Sequence, residues 1–355
     1  MKQPPPRAVK AVINRLGDII NHPGRSSYLV ILLMVVSVSW LGVAPLLLAG
    51  MFSYFALSKL QFFPQRGRWL AVGLFLVVLA LITYVTLHFT THAVRAFPEI
   101  ADKAIPSFIQ LAERYQIDLP FSDYASMKEA AMGAMTSEMR FLGNAARYAQ
   151  GASMKVLYLV VGCVVAISLF LNPRFNLDPP KEGVPNLYIQ WGEALMTRFR
   201  VFYQSFETVI GAQILISTIN TIFTAIFVIV VNLPYGPLVI MATFFCGLLP
   251  VIGNLISNTI IVGIGITRSP ELALGALIFL VTIHKLEYFL NSRIVGHRIR
   301  NPLWLTLLAL VIGERLMGIA GIILAPVVLN YIRLEAMAIK AASEQPEPNP
   351  PAQPQ

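Results

Sequence analysis

Between Thr208 and Thr267 the chain reads TVIGAQILISTINTIFTAIFVIVVNLPYGPLVIMATFFCGLLPVIGNLISNTIIVGIGIT, with no acidic or basic residue in it. A lipid-spanning helix needs roughly 20 apolar residues, so this stretch holds more than one membrane segment. Outer-membrane barrel strands alternate polar and apolar over about 10 residues. The runs here are continuously apolar, which predicts helices. A second uncharged stretch extends from Ser26 to Ser58. Across the 355 residues, 56% are hydrophobic and only 13% charged, with a mean hydropathy of +0.67. Soluble domains carry about a quarter charged residues. The expected fold is all-α: a polytopic membrane protein of about 5–8 membrane segments, with one helical extramembrane segment.

The net charge of +9 fits the Lys and Arg excess of cytoplasmic loops. No aromatic-interleaved basic stripe argues for a nucleic-acid partner. Cys163 and Cys246 sit inside apolar runs and suit small buried hydrophobes. The first apolar run exceeds the 7–15 residues of a signal-peptide core and reads as a retained membrane segment.

Basic residues then set the topology. Residues 1–27 form a cytoplasmic amino-terminal segment, and 28–91 hold the first membrane segments, with Tyr28–Val43 and Ala44–Ser58 paired across Gly42 and Pro45. Trp69–Phe89 is the third span. Residues 92–153 are a polar, periplasmic segment broken by Pro98, Pro106 and Pro120, helical in its later half from Ser126. Residues 154–171 cross back, and 172–207 are cytoplasmic and amphipathic, with Trp191, Leu195, Phe199 and Phe202 on one face. The proline-rich 336–355 tail is expected to be disordered.

The carboxyl-terminal half contains two units of one layout, membrane repeat one over 208–271 and repeat two over 272–335. Each has a long span, then an apolar stretch opened by Pro237 or Pro302, broken in its middle, and continued by a second apolar arm. The breaks fall at Pro250–Asn254 and at Gly313-Glu314-Arg315. Arg293, Arg298 and Arg300 before Pro302, and Arg333 and Lys340 after it, are all expected in the cytoplasm. Segments 237–266 and 302–331 must then each return to their side of entry, as re-entrant hairpins in an inverted repeat. Broken helices of this kind expose backbone groups that hold solutes in secondary transporters; the alternative is a single long helix kinked at each break. Ala276 is expected to face lipid.

Pro302-Leu-Trp-Leu, followed by Gly313-Glu-Arg-Leu-Met-Gly-Ile-Ala-Gly321 and Ile322-Ile-Leu-Ala-Pro326, resembles the carboxyl-terminal signature of the autoinducer-2 exporter family. Leu248-Leu-Pro-Val-Ile-Gly253 is similar to its mid-chain element, and Leu286-Glu-Tyr-Phe-Leu-Asn-Ser-Arg-Ile-Val-Gly296 to the segment between. The resemblance covers roughly residues 28–335. Glu314 departs from it, standing where the family often has a second glycine, and Arg315 adds a charge beside it. The resemblance implies a transporter of the bacterial inner (cytoplasmic) membrane; the family is named for export of a signalling furanone, and other members are associated with sodium–proton exchange.

The candidate solute or ion pathway comprises Pro250, Gly253, Asn254, Asn258, Gly313, Glu314, Arg315, Gly318 and Gly321. Glycines let backbone approach backbone. Asn254 and Asn258, four apart, share a helix face. A charge in the bilayer costs at least about 2.5–3.5 kcal/mol, so Glu314 and Arg315 either carry a coupling ion or anchor a hairpin tip. Asn220 either touches solute or joins helices by a hydrogen bond. His284, Lys285 and Glu287 lie near the cytoplasmic end of their span, where Lys285 can snorkel to the interface. His88 and His92 lack a third ligand, so no metal site is expected, and no cofactor.

There is no phosphate-binding glycine loop, Gly-x-Ser-x-Gly or His-Glu-x-x-His pattern, which argues against an ATP-driven pump and the common hydrolases. The chain reads as a non-enzyme: a secondary transporter, an exporter of a small polar solute such as a signalling metabolite. The alternatives are a sodium–proton antiporter using Glu314, and a passive channel or non-transporting scaffold. The expected partners are a small molecule or ion, membrane lipid and a second copy of the chain. Self-association is expected partly through the small residues Ala130, Ala131, Gly133, Ala134, Gly143, Ala145 and Ala146.

Overall fold

Long apolar runs ending at Gly, Pro or polar clusters become helices, because a bilayer leaves each backbone group only its own helix to bond with. A computed structural model describes residues 23–61, 67–114, 116, 145–172, 187–250, 252–294 and 302–343. Among these are ten helices and no strand: α1 Pro23–Trp40, α2 Ala44–Leu60, α3 Arg68–Arg114, α4 Ala145–Leu171, α5 Leu187–Val230, α6 Gly236–Gly247, α7 Ile252–Ile266, α8 Pro270–Ile294, α9 Leu303–Met317 and α10 Ile319–Ser343. Among the described residues four helices carry windows long and apolar enough to cross a membrane, in α3, α4, α5 and α10; α1 and α2, bent by 114° at their junction, make a fifth if the pair is one broken span and not a re-entrant loop. The protein is a multi-pass helical membrane protein.

The chain divides into two units. One contains residues 1–44, 174–209 and 301–355; the other contains 45–173 and 210–300.

In the first unit, α9 and α10 pack together as a helical hairpin. The turn lies at Gly318, with φ +60° and ψ −140°, a conformation that only glycine adopts readily. The sequence reading placed the break at Gly313-Glu314-Arg315. Glu, Arg, Leu and Met are good helix formers, and they carry α9 on to Met317. Gly313 instead faces Gly321 across the hairpin: a Cβ on Gly321 would lie 1.8 Å from the Gly313 carbonyl oxygen. The first unit is also tied by Glu335, 5% exposed, whose Oε2 accepts from the Tyr28 hydroxyl at 2.8 Å and from the Arg198 guanidinium. Arg198 lies 4.3 Å from the Tyr28 ring centroid. Phe202 meets Tyr331 edge to face.

In the second unit, Leu57, Ala71, Val72, Phe75 and Phe170 form one core among α2, α3 and α4. Val228, Val239, Ile261, Ile264, Ala276 and Leu280 form another among α5, α6, α7 and α8. Ala276 is fully buried there, not lipid-facing as expected. α6 and α7 form a second helical hairpin. α6 begins with Gly236-Pro237, a start that suits proline because the first-turn N–H groups have no helical partner.

Other boundaries move as well. α1 begins at Pro23, and its Ser26 and Ser27 are buried. α3 runs for 47 residues through Pro98 and Pro106 without ending, so those prolines do not break the segment after His92. A proline can cost one helical bond and a kink and leave the helix intact. Beyond its apolar half, α3 puts Phe89 against Phe245 and Ile100 against the α5–α8 core. α5 joins the amphipathic segment and the following span in one 44-residue helix; Phe206 is fully buried, whereas Phe199 is 40% exposed. α10 continues to Ser343, so residues 336–343, expected in the tail, are helical, and 344–355 lie outside the described residues. The later half of the segment expected to be periplasmic lies outside the described residues up to 144, and with it most of the small-residue stretch expected to mediate self-association.

Candidate solute site

The polar residues of the uncharged stretch find their partner on α8. Glu287 is separated from Asn254 by 33 residues and from Asn220 by 67. The Asn254 Nδ2 lies 2.8 Å from both carboxylate oxygens, and the Asn220 Nδ2 donates to Oε2 at 3.3 Å. Such charge-assisted bonds are the stronger kind, and here they hold a carboxylate whose side chain is 13% exposed. Beside it stand Ile261, Leu280 and Ile283, all buried.

His284, one helical turn before Glu287, lies at the open edge with its side chain 50% exposed. Its Nδ1 is 3.7 Å from Glu287 Oε2, and its Nε2 is 2.7 Å from the Asn258 Nδ2. With the Asn258 amide donating, Nε2 accepts and the ring proton resides on Nδ1, the nitrogen nearer the carboxylate. Thr224, Thr243 and Ser257 complete the polar lining of a narrow cleft of about 10 Å³, room for one water-sized group, open at its edge.

The hairpin turn positions Asn254. α6 ends at Gly247, residues 248–250 turn, and α7 starts at Ile252. A Cβ on Gly253 would fall 1.6 Å from the Cys246 carbonyl oxygen, so only glycine permits so tight a return. The carbonyls freed at the end of α6 are taken up by α5: the Gln213 side-chain amide donates to Gly247 O at 2.6 Å and the Ser217 hydroxyl to Phe244 O at 2.7 Å. α7 therefore leaves the turn with Asn254 and Asn258 on the face that meets α8.

Of the residues singled out by sequence, Asn254 and Asn258 enter this cleft, and Pro250 and Gly253 build the turn beside it. Asn220 joins helices and lines the cleft at once. Gly313, Glu314, Arg315, Gly318 and Gly321 belong to the other unit. Glu314 and Arg315 are exposed on the last turn of α9, and neither makes an ion pair among the described residues. Glu287 was read as part of a span end and left out of the pathway. The signal for it was an acid placed three residues after a histidine in a largely apolar helix.

The His88 and His92 rings on α3 lie tilted by 58° with centroids 4.3 Å apart. Among the described residues no group of three His, Cys, Asp or Glu side chains is arranged to hold a metal.

Comparison with known proteins agrees with this helical, multi-pass architecture. A family model described as "AI-2E family transporter" matches residues 27–337. A protein of Bacillus subtilis (strain 168), named "Putative transport protein YdbI", is 28% identical over 141 residues. That match spans 36% of this chain and 40% of the relative, well under half of its length.

Proposed function

The chain belongs to the AI-2E transporter family, and on that premise we propose that it is a secondary transporter exporting a small polar solute across the bacterial inner membrane, with the Glu287 cleft as its solute site. The observation that carries this reading is the Glu287 carboxylate, held by Asn254 and Asn220 among buried apolar side chains. A carboxylate in such surroundings is costly unless paired or wetted, and in membrane proteins it marks a solute or ion path.

Alternating exposure would follow from movement of the α6–α7 hairpin, whose turn residues Pro250 and Gly253 sit beside the cleft. Re-entry of both hairpins into the bilayer, and assembly with further copies of the chain, belong to the same proposal. Sodium–proton exchange is the second reading. His284 at 3.7 Å from Glu287 favours it, because together they give one site two titratable groups. On this reading the coupling carboxylate is Glu287, while Glu314 stays an exposed helix-end charge.

Purified protein in proteoliposomes tests the proposal. Uphill accumulation of a polar solute, abolished by an uncoupler, is the expected result. Flux that only runs down its gradient and ignores the uncoupler would make the protein a channel, and no flux of any solute would make it a scaffold.

A further inference from the structure

The hydrogen bonds of the Glu287 cleft leave buried acceptors unspent. The amide N–H groups of Asn220 and Asn254 both go to the carboxylate. The Thr243 hydroxyl donates to Val239 O and the Ser257 hydroxyl to Asn254 O, so each presents only oxygen lone pairs. Asn220 is 6% exposed, and its side-chain oxygen has no hydrogen-bond partner among the described residues. Buried amide oxygens are nearly always bonded, and leaving one unmade costs about 1–3 kcal/mol. The cleft thus offers one negative charge and one orphaned carbonyl oxygen, and it asks for a ligand that brings positive charge and N–H donors.

The walls narrow the choice. A bare hard cation gathers about six or more oxygens, whereas Ile261, Leu280 and Ile283 give one side of this cleft no ligating atom. An ammonium head has three donors and can be carried on an alkyl stem, which matches acceptors at one end and aliphatic side chains beside them. We propose that the cleft binds the ammonium head of a small organic amine, with Glu287 and the Asn220 side-chain oxygen as acceptors and Ile261, Leu280 and Ile283 against the alkyl part. The proposal rests on reading this cleft as the solute site and names the class of solute.

The test is equilibrium binding of radiolabelled ethylammonium to the full-length protein in phosphatidylcholine–phosphatidylglycerol nanodiscs, lipids that carry no primary ammonium of their own. Saturable binding, displaced by propylammonium but not by the same concentration of sodium, is the expected result. Glu287→Gln should weaken it by about tenfold or more, as expected for loss of a charged hydrogen-bond partner. Asn220→Leu should weaken it severalfold, and the exposed Leu274→Ala should leave it unchanged. If Glu287→Gln is not monodisperse, Asn220→Leu and the sodium competition on the unmodified protein decide. The assignment is overturned if ethylammonium does not bind saturably, if both cleft variants bind it normally, or if sodium displaces it at equal concentration. Uncoupler-sensitive flux of another solute, without ethylammonium binding, would overturn the amine and keep the transporter. Binding without any flux would keep the amine and overturn transport.

Discussion

The two helical hairpins solve the same problem of reversing a chain tightly, with different chemistry. In the α9–α10 hairpin the solution is backbone alone: Gly318 takes the positive φ, and Gly313 and Gly321 let the two helices touch main chain to main chain. One hydroxyl, from Ser39, reaches a carbonyl near its turn, that of Leu316. The α6–α7 hairpin has a longer turn through Pro250, which also needs a glycine, Gly253, at close contact, but two side chains of α5 cap its carbonyls as well. Its second helix then presents the Asn254 amide to the Glu287 carboxylate and the Asn258 amide to the His284 ring. A turn closed by glycine contacts alone has little left to offer a ligand. A turn held by side chains stands amid polar groups that can bind one. Under the proposed function, that difference is the reason to look for the solute in the second unit.

The largest expected effect breaks that reading if it fails. Glu287→Gln should reduce flux in proteoliposomes by about tenfold or more, since hydrogen bonds to a charged group contribute about 1.5–3 kcal/mol each. Normal flux in a folded Glu287→Gln protein would remove the cleft from the pathway.

The glycines sharpen the contrast at an intermediate scale. Gly253→Ala and Gly321→Ala both force a Cβ into a carbonyl oxygen, at 1.6 and 1.8 Å, and overpacking of this kind costs typically about 1–3 kcal/mol. Both should lower the thermal midpoint. Only Gly253→Ala should also depress flux per folded molecule, because it displaces Asn254. Equal flux losses in the two would mean that the hairpins share the work.

The smallest effect is expected at Glu314. On the exposed end of α9, Glu314→Gln should change stability by no more than about 0.5 kcal/mol and leave the ion dependence of flux intact. Loss of sodium or pH dependence in this variant would move the coupling site to the α9–α10 hairpin.

Much of this architecture was legible because a bilayer constrains sequence strongly. The uncharged runs marked the helices, Pro250 marked one turn, and the spacing of Asn254 and Asn258 predicted a shared polar face. Glu287 was harder to read, since its partners lie 33 and 67 residues away and its own neighbours resemble an ordinary span end. The turn at Gly318 was misplaced by one helical turn. Two charges drew attention to Gly313, yet helix propensity outweighed them and backbone geometry selected the glycine able to adopt positive φ. Ala276 shows a further limit: an alanine in an apolar helix looks alike facing lipid or buried, and only packing against Val239 and Ile261 in one core decides.

The Glu335 tie has a consequence for how the protein is made. Tyr28 and Glu335 are 307 residues apart, and at about 5–20 residues per second of synthesis roughly 15–60 s separate their appearance. Arg198 too is made before the acid that pairs with it. The first unit therefore cannot close while the ribosome is still working on the middle of the chain, whereas every residue of the second has been made by position 300. A nascent chain stalled short of α10 would hold a complete second unit beside a first helix still waiting for its partner. A stop codon just before Glu335 would thus act as a block to assembly rather than as the trimming of a tail.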